Sequence, residues 1–336
     1  MRRLLVLGLA SLRDLGELKI IEILERSLGE SRRTVVGFGD DVSAIRLPDG
    51  KVAVLKTDML VASTDVPPGM TMRQIASKAV VANVSDLAAK GVRPIAGLVA
   101  LGLPRNLTSQ DIRALASGLS GSSKHYGFPL VGGDTNESKD LTISIALLGT
   151  TRKKSQLVLR STAKVGDTVA VSGEFGSTAA GLKALLRRRK QPDRLPPALY
   201  RAVYSPRAEL ELGLRLAASG ALTASIDSSD GLAWSLHELA RASGVGIQIN
   251  RVPVSKAAVE FAARHRYSAS DLALYGGEEY HLVVTVKPEK FRMAQKAARG
   301  RLKAIGVVTK KPFQVQFKQA EKEYPIAMRG WEHFKS

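Results

Sequence analysis

The chain has 336 residues, no cysteine and a formal net charge of +19, from 50 Lys and Arg against 31 Asp and Glu. Absence of cysteine excludes disulfides, thiolate nucleophiles and zinc–thiolate sites, and no apolar run approaches the roughly 20 residues that cross a bilayer. The basic balance admits a nucleic-acid binder, but aromatics make up only 5% and no aromatic-and-basic stacking motif occurs, so a basic surface is the favoured reading.

The opening MRRLLVLGLASLRDLGE has two arginines before an apolar patch. That patch is short and runs into a charged helical pattern, so it is read as no signal peptide and the protein as cytoplasmic. Residues 15–30 read as a helix with Leu18, Ile20, Ile21 and Leu24 in a stripe and Gly29 at its end. TVVGFG and KVAVLKTDMLV read as strands. Residues 71–91 read as a long helix closed by Gly91, and IAGLVALGLP as a buried strand ended by Pro104. Thr108 with Asp111 three residues on signals a helix start. PLVGGD and LTISIALLGT are expected as strands around a glycine turn, and about 150–165 as a linker.

Beyond the linker, TVAVSG, LTASID, GIQIN, EYHLVVTV and LKAIGVVT read as strands. Helical patterns lie between them, at 177–189, 205–220, 231–244, 255–266 and 288–300. Length favours two domains, taken as 1–150 and 151–336. The alternation of strands and helices in both gives an α/β (α+β) class.

Acidic residues are the minority here, yet they gather in glycine-rich turns and one apolar strand. GFGDDVSA carries Asp40 and Asp41, KTDML carries Asp58, NVSDLAAKG carries Asp86 and VGGDTNES carries Asp134. SIDSSDGL carries Asp227 and Asp230, and YGGEEYHL carries Glu278 and Glu279. Asp and Gly are common in turns for backbone reasons alone, and Asp86 fits a solvated helix face equally well. Asp58 is costlier to explain, because a carboxylate inside an apolar strand needs a partner. Asp227 and Asp230 precede a helix start; one cap needs one side chain, so the second is surplus. Hard carboxylate oxygens suit Mg²⁺, which also keeps phosphate oxygens as ligands. The chain has no P-loop, no Rossmann glycine pattern and no protein-kinase DFG or HRD. Its histidines at 125, 237, 265, 281 and 333 show no zinc spacing.

In order, GDD, TDMLV, KAVVANVSDLAAKG, GGDT, GDTVAVSG, GSTAAGL, SIDSSDGL, SGVGIQI, GGEEY and GWEHF span nearly the whole chain. This series resembles the thiamine-monophosphate kinase family, of the superfamily of aminoimidazole ribonucleotide synthetase and selenophosphate synthetase. The resemblance implies two domains, with the N-terminal sheets of two chains pairing into a dimeric β-barrel. It implies Mg²⁺-dependent transfer of the γ-phosphoryl group of ATP to thiamine monophosphate, giving thiamine diphosphate. It assigns Asp41, Thr57, Asp58, Asp86, Asp134, Asp227 and Asp230 to metal positions. It assigns Gly133, Asp134, Arg160 and Ser229 to the nucleotide, and Glu278, Trp331 and Asp65 to the substrate. No side chain is assigned as a general base. Two positions depart from bacterial members: Lys56 stands where a small hydroxyl residue is common, and Asp65 falls near a substrate-contacting His. Sister enzymes acting through cysteine or selenocysteine are excluded by composition. Aminoimidazole ribonucleotide synthetase stands as the alternative enzyme; a basic nucleic-acid binder and a metal–nucleotide sensor stand as alternatives of other classes.

Overall fold

The structure, a computed structural model, describes residues 11–29, 31–187 and 195–330. Ser11 opens helix α1 (Leu12–Leu28) through a capping box with Asp14, and Gly16 interrupts it. The expected stripe of this helix is not core: Leu18, Ile21 and Leu24 are exposed. Strands β1 (Thr34–Val36), β2 (Ser43–Arg46) and β3 (Val52–Val61) follow, then the single turn α2 (Ala62–Asp65). Helix α3 (Met72–Lys90) is capped by Thr71 and Gln74 and ends on left-handed Gly91. Strand β4 (Pro94–Leu103), helix α4 (Ser109–Tyr126), β5 (Leu130–Glu137) and β6 (Thr142–Thr151) complete a six-stranded sheet in the order β1-β2-β3-β6-β4-β5.

Three further expectations fail up to residue 165. Strand β4 is not buried, since Ile95 and Leu98 face outward. The glycines of VGGD lie inside β5, not in a turn, because β5 runs parallel to β4 at close quarters. Residues 150–165 are no free linker: they form 3₁₀ turns at Lys154–Gln156 and Arg160–Thr162, and the second carries a site residue.

The second sheet has seven strands: β7 (Thr168–Val171), β8 (Leu222–Asp227), β9 (Gly246–Ile249), β10 (Leu282–Val286), β11 (Lys303–Thr309), β12 (Val315–Gln319) and β13 (Lys322–Pro325). Their order is β13-β12-β9-β11-β7-β10-β8. Between them run α5 (Ser177–Arg187), α6 (Pro197–Tyr204), α7 (Leu210–Ala218), α8 (Leu232–Ser243), α9 (Lys256–His265), α10 (Ala269–Tyr275) and α11 (Phe291–Ala297). The helix expected over 205–220 starts only at Leu210, leaving Glu209 free to face the interior. The class is mixed α/β with two domains, one sheet in each.

Helix α3 sits between the sheets, packing on β3 and β6 on one side and on β8 and α7 on the other. Its Ala- and Val-rich surface is buried almost all round, which suits a helix wedged between layers. Among the described residues no helix is long and apolar enough to cross a membrane.

Candidate active site

The i, i+4 line through Lys78, Ala82, Asp86 and Lys90 places three charged side chains along one side of α3. Asp86 is buried, not on a solvated face. One carboxylate oxygen from each of Asp41, Asp86 and Asp227 lies within 4.8 Å of the others. Asp41 comes from the turn before β2, Asp86 from α3 and Asp227 from the C-terminal end of β8, so both halves of the chain build the group.

Buried charges need partners, and here they have them. Arg160 donates from Nε to Asp41 Oδ1 over 2.7 Å, and its Nη2 meets the same oxygen. Its backbone N–H donates to Asp40 Oδ2 at 3.0 Å. Lys90, wholly buried, lies 2.7 Å from Asp40 Oδ1 and donates to the Ser225 carbonyl over 2.7 Å. It also lies 2.7 Å from Asp41 Oδ2, but off the hydrogen-bonding direction, so that oxygen is ion-paired without a hydrogen bond. Ser85 and Ser229 donate to Asp227 over 2.6 and 3.1 Å. Lys56 Nζ approaches Asp86 Oδ2 at 2.5 Å and Asp58 at 3.9 Å.

These surroundings split the carboxylates by proton affinity. Burial works to raise Asp41, but Arg160 and Lys90 outweigh it and hold its pKa below the usual carboxylate range. Burial raises Asp86 well above that range despite Lys56, and raises Asp227 with help from the Asp41 charge. Asp230 is pushed up to about 8, by burial first and then by Asp227 and Glu17. Three buried oxygens converge, and hydroxyls rather than cations meet Asp227; this set fits a hard divalent ion, which would favour the ionised forms.

A second turn closes on the first. Ser228 Oγ donates to the His281 carbonyl at 2.9 Å and accepts from His281 N–H at 3.0 Å. Glu278 N–H donates to the Ser229 carbonyl at 2.5 Å. Glu278 and Tyr280 both hold left-handed backbone, at φ 62° and 54°, a strained choice that clusters at functional turns. The Glu278 carboxylate pairs with Lys78, whose ammonium also meets the Asp65 carbonyl. Asp65 therefore reaches the site through its backbone, while its carboxylate accepts from Val61 N–H over 2.7 Å.

Other expected residues stand apart from the carboxylate group. Thr57 is exposed, on the opposite face of β3 from Lys56 and Asp58. Asp134 is exposed on the edge strand β5. Gly133 is required by packing, because a Cβ there would lie 1.8 Å from the Val99 carbonyl oxygen. Trp331 lies outside the described residues; its neighbour Gly330 packs on Asp230, where a Cβ would come within 2.3 Å of the carbonyl oxygen. Sequence reasoning does not pick out Lys78, Ser85, Lys90 and Glu238 as site residues, and it marks Lys56 only as a departure beside the expected metal positions.

The model for AIR synthase related protein, N-terminal domain, matches residues 39–151, and that for the C-terminal domain matches residues 164–318. The chain is 34% identical over 324 residues to the thiamine-monophosphate kinase of Nitrosopumilus maritimus, covering 96% of this chain and 99% of the relative. It is 35% identical over 307 residues to that of Pyrococcus horikoshii, covering 89% and 91%. A solved structure described as AaThiL complexed with AMPPCP and TMP superposes with a TM-score of 0.83 at 28% identity, covering 96% of this chain and 99% of that one.

Proposed function

The chain belongs to the thiamine-monophosphate kinase family, and on that premise we propose that it moves the γ-phosphoryl group of ATP onto the phosphate of thiamine monophosphate, giving thiamine diphosphate and ADP. The convergence of Asp41, Asp86 and Asp227 carries the reading, because a site without a P-loop needs another way to hold a polyphosphate. We propose the sequence-assigned set as its parts: Asp41, Asp58, Asp86, Asp227 and Asp230, with Thr57 and Asp134, for Mg²⁺; Gly133, Arg160 and Ser229 for the nucleotide.

Bound Mg²⁺ would neutralise phosphate oxygens and template an in-line transfer. The protein's own contribution is rigidity. Lys90 and Arg160 fix Asp40 and Asp41, and Ser85 and Ser229 fix both oxygens of Asp227, so little reorganisation is left for the transfer. No general base is needed, since the accepting phosphate is already anionic. Lys78 aims Glu278, which suits recognition of the cationic thiazolium or the aminopyrimidine. Trp331 is proposed to stack on an aromatic ring. Asp65 joins through its hold on Lys78.

A homodimer is part of the proposal. The outer face of the first sheet exposes Leu55, Met59, Leu98 and Val131, an apolar surface of the kind that marks a partner. Two such faces closing on each other would form the barrel.

The decisive experiment follows thiamine diphosphate formation from thiamine monophosphate, ATP and Mg²⁺, comparing wild type with Asp230→Asn and Asp227→Asn. Formation by wild type and a fall of at least about 100-fold in the variants is expected. Folded wild type that makes no product across temperatures overturns the reading.

A further inference from the structure

Six carboxylates, Asp40, Asp41, Asp58, Asp86, Asp227 and Asp230, gather at the site, and three cations pair with members of this group. Those cations are not equivalent. Lys90 is tied to Asp40, Asp41 and the Ser225 carbonyl with no exposure at all. Arg160 is tied to Asp41 and Glu238, and its backbone is held by Asp40. Both are fixed by several partners and belong to the framework. Lys56 reaches in from β3, keeps 17% of its side chain exposed, and meets two carboxylates, Asp86 and Asp58. Neither of these is fixed by a second cation among the described ion pairs. A lysine is a compact charge on a flexible four-carbon stem, so this one can leave without dismantling anything else.

Asp86 is also one corner of the three-carboxylate group. The oxygen that Lys56 holds at 2.5 Å cannot serve a divalent ion at about 2.1 Å while the ammonium stays in place. The two like charges would stand a few ångströms apart. Resting on the proposed divalent-ion role of these aspartates, we propose that Lys56 is a displaceable resident cation. It occupies the Asp86 position in the nucleotide-free protein and yields it to a divalent ion that arrives with the phosphates. Loading of Asp86 is thereby coupled to nucleotide. Without it the site is kept from binding metal ions tightly while no substrate is present.

The test is Mn²⁺ titration of nucleotide-free protein, followed by the paramagnetic resonance of free Mn²⁺, for wild type, Lys56→Gln and Lys56→Gln with Asp86→Asn. Lys56→Gln binds Mn²⁺ at least tenfold more tightly than wild type, and the added Asp86→Asn removes the gain. Equal affinities for wild type and Lys56→Gln overturn the proposal, as does a gain that survives Asp86→Asn. Thermal unfolding is the second readout: Mn²⁺ raises the midpoint of Lys56→Gln more than that of wild type. If Lys56→Gln is unfolded without metal, recovery of the fold on adding Mn²⁺ supports the competition, and no recovery overturns it. Kinase turnover is measured separately. Product formed by wild type together with unchanged Mn²⁺ binding sinks the role of Lys56 alone. Tightened binding with no product from wild type sinks the kinase reading alone.

Discussion

Burial works against a charge on His281, yet the Glu209 carboxylate, 3.4 Å from its Nδ1, prevails and holds the histidine's pKa above its ordinary value. Glu279 adds to the rise and Arg301 opposes it. Glu209 itself is gripped by Ser172 and Arg301. A raised histidine binds its proton more tightly folded than unfolded. Its stabilisation is complete below about pH 6.5 and is lost as pH climbs through the folded pKa. Unfolding free energy measured from pH 6 to 9 should therefore decline, as the raised Asp230 also requires up to about pH 8, and His281→Asn should make that decline shallower; an unchanged slope would remove the histidine from the account. At this same scale the sequence is an uneven guide. Asp227 and Asp230 are legible because two carboxylates exceed what one helix start can use. Lys90 is not, because lysine is almost always a surface residue and only tertiary packing reveals which one is enclosed; Lys56 stands out only as a departure from the family pattern. Glu209 is lost for a related reason: an apolar repeat placed it inside a helix that in fact begins one residue later.

Among the elements, α3 and α7 approach so closely that Gly213 has no room for a side chain. A Cβ there would lie 2.0 Å from the Ala88 carbonyl oxygen. Alanine is the better helix former by about 1 kcal/mol, so propensity alone makes Gly213→Ala stabilising. Overpacking should win instead, with a net loss of about 1–3 kcal/mol in urea unfolding. Gly121→Ala is the matched control: on α4, with nothing within 4 Å of its Cβ, it should be neutral or gain up to about 1 kcal/mol. Equal effects at the two positions would refute the argument. Long elements with caps are readable, as Thr108 and Gly91 show. Strand β5 was shortened in the reading because its paired glycines imitate a turn; their cause, the neighbouring strand, is remote in sequence. The short helices α6 and α10 and the strands β12 and β13 have too few residues to display a period and were missed.

For the molecule as a whole, the feature to account for is the apolar outer face of the first sheet. Leu98 and Val131 are 50% and 65% exposed and Met59 58%. If a second chain covers them, wild type sediments at twice the 36.0 kDa of one chain. Met59→Lys combined with Val131→Glu should then sediment as a monomer while thermal unfolding shows the chain still folded. A wild type that is already monomeric at micromolar concentration would dismiss the dimer. The resemblance, not the hydrophobic pattern, suggested this pairing: β4 alone reads as an interior strand, since apolar residues on both faces look the same whether a face meets the chain's own core or another chain.

Lys90 ties the two halves together in a further sense. Its ammonium sits at a seam where Asp40 and Asp41 come from one side and the Ser225 carbonyl from the other. Removing one member of a buried ion pair costs about 3–5 kcal/mol, whereas exchanging the whole set for well-packed apolar groups can be neutral. A single change at this seam is therefore expected to cost more than replacing the whole set. Asp40, Asp41 and Lys90 all lie in the first half, so a half-chain exchanged between relatives keeps these charges together, and Arg160 is the counterpart that the second half must supply.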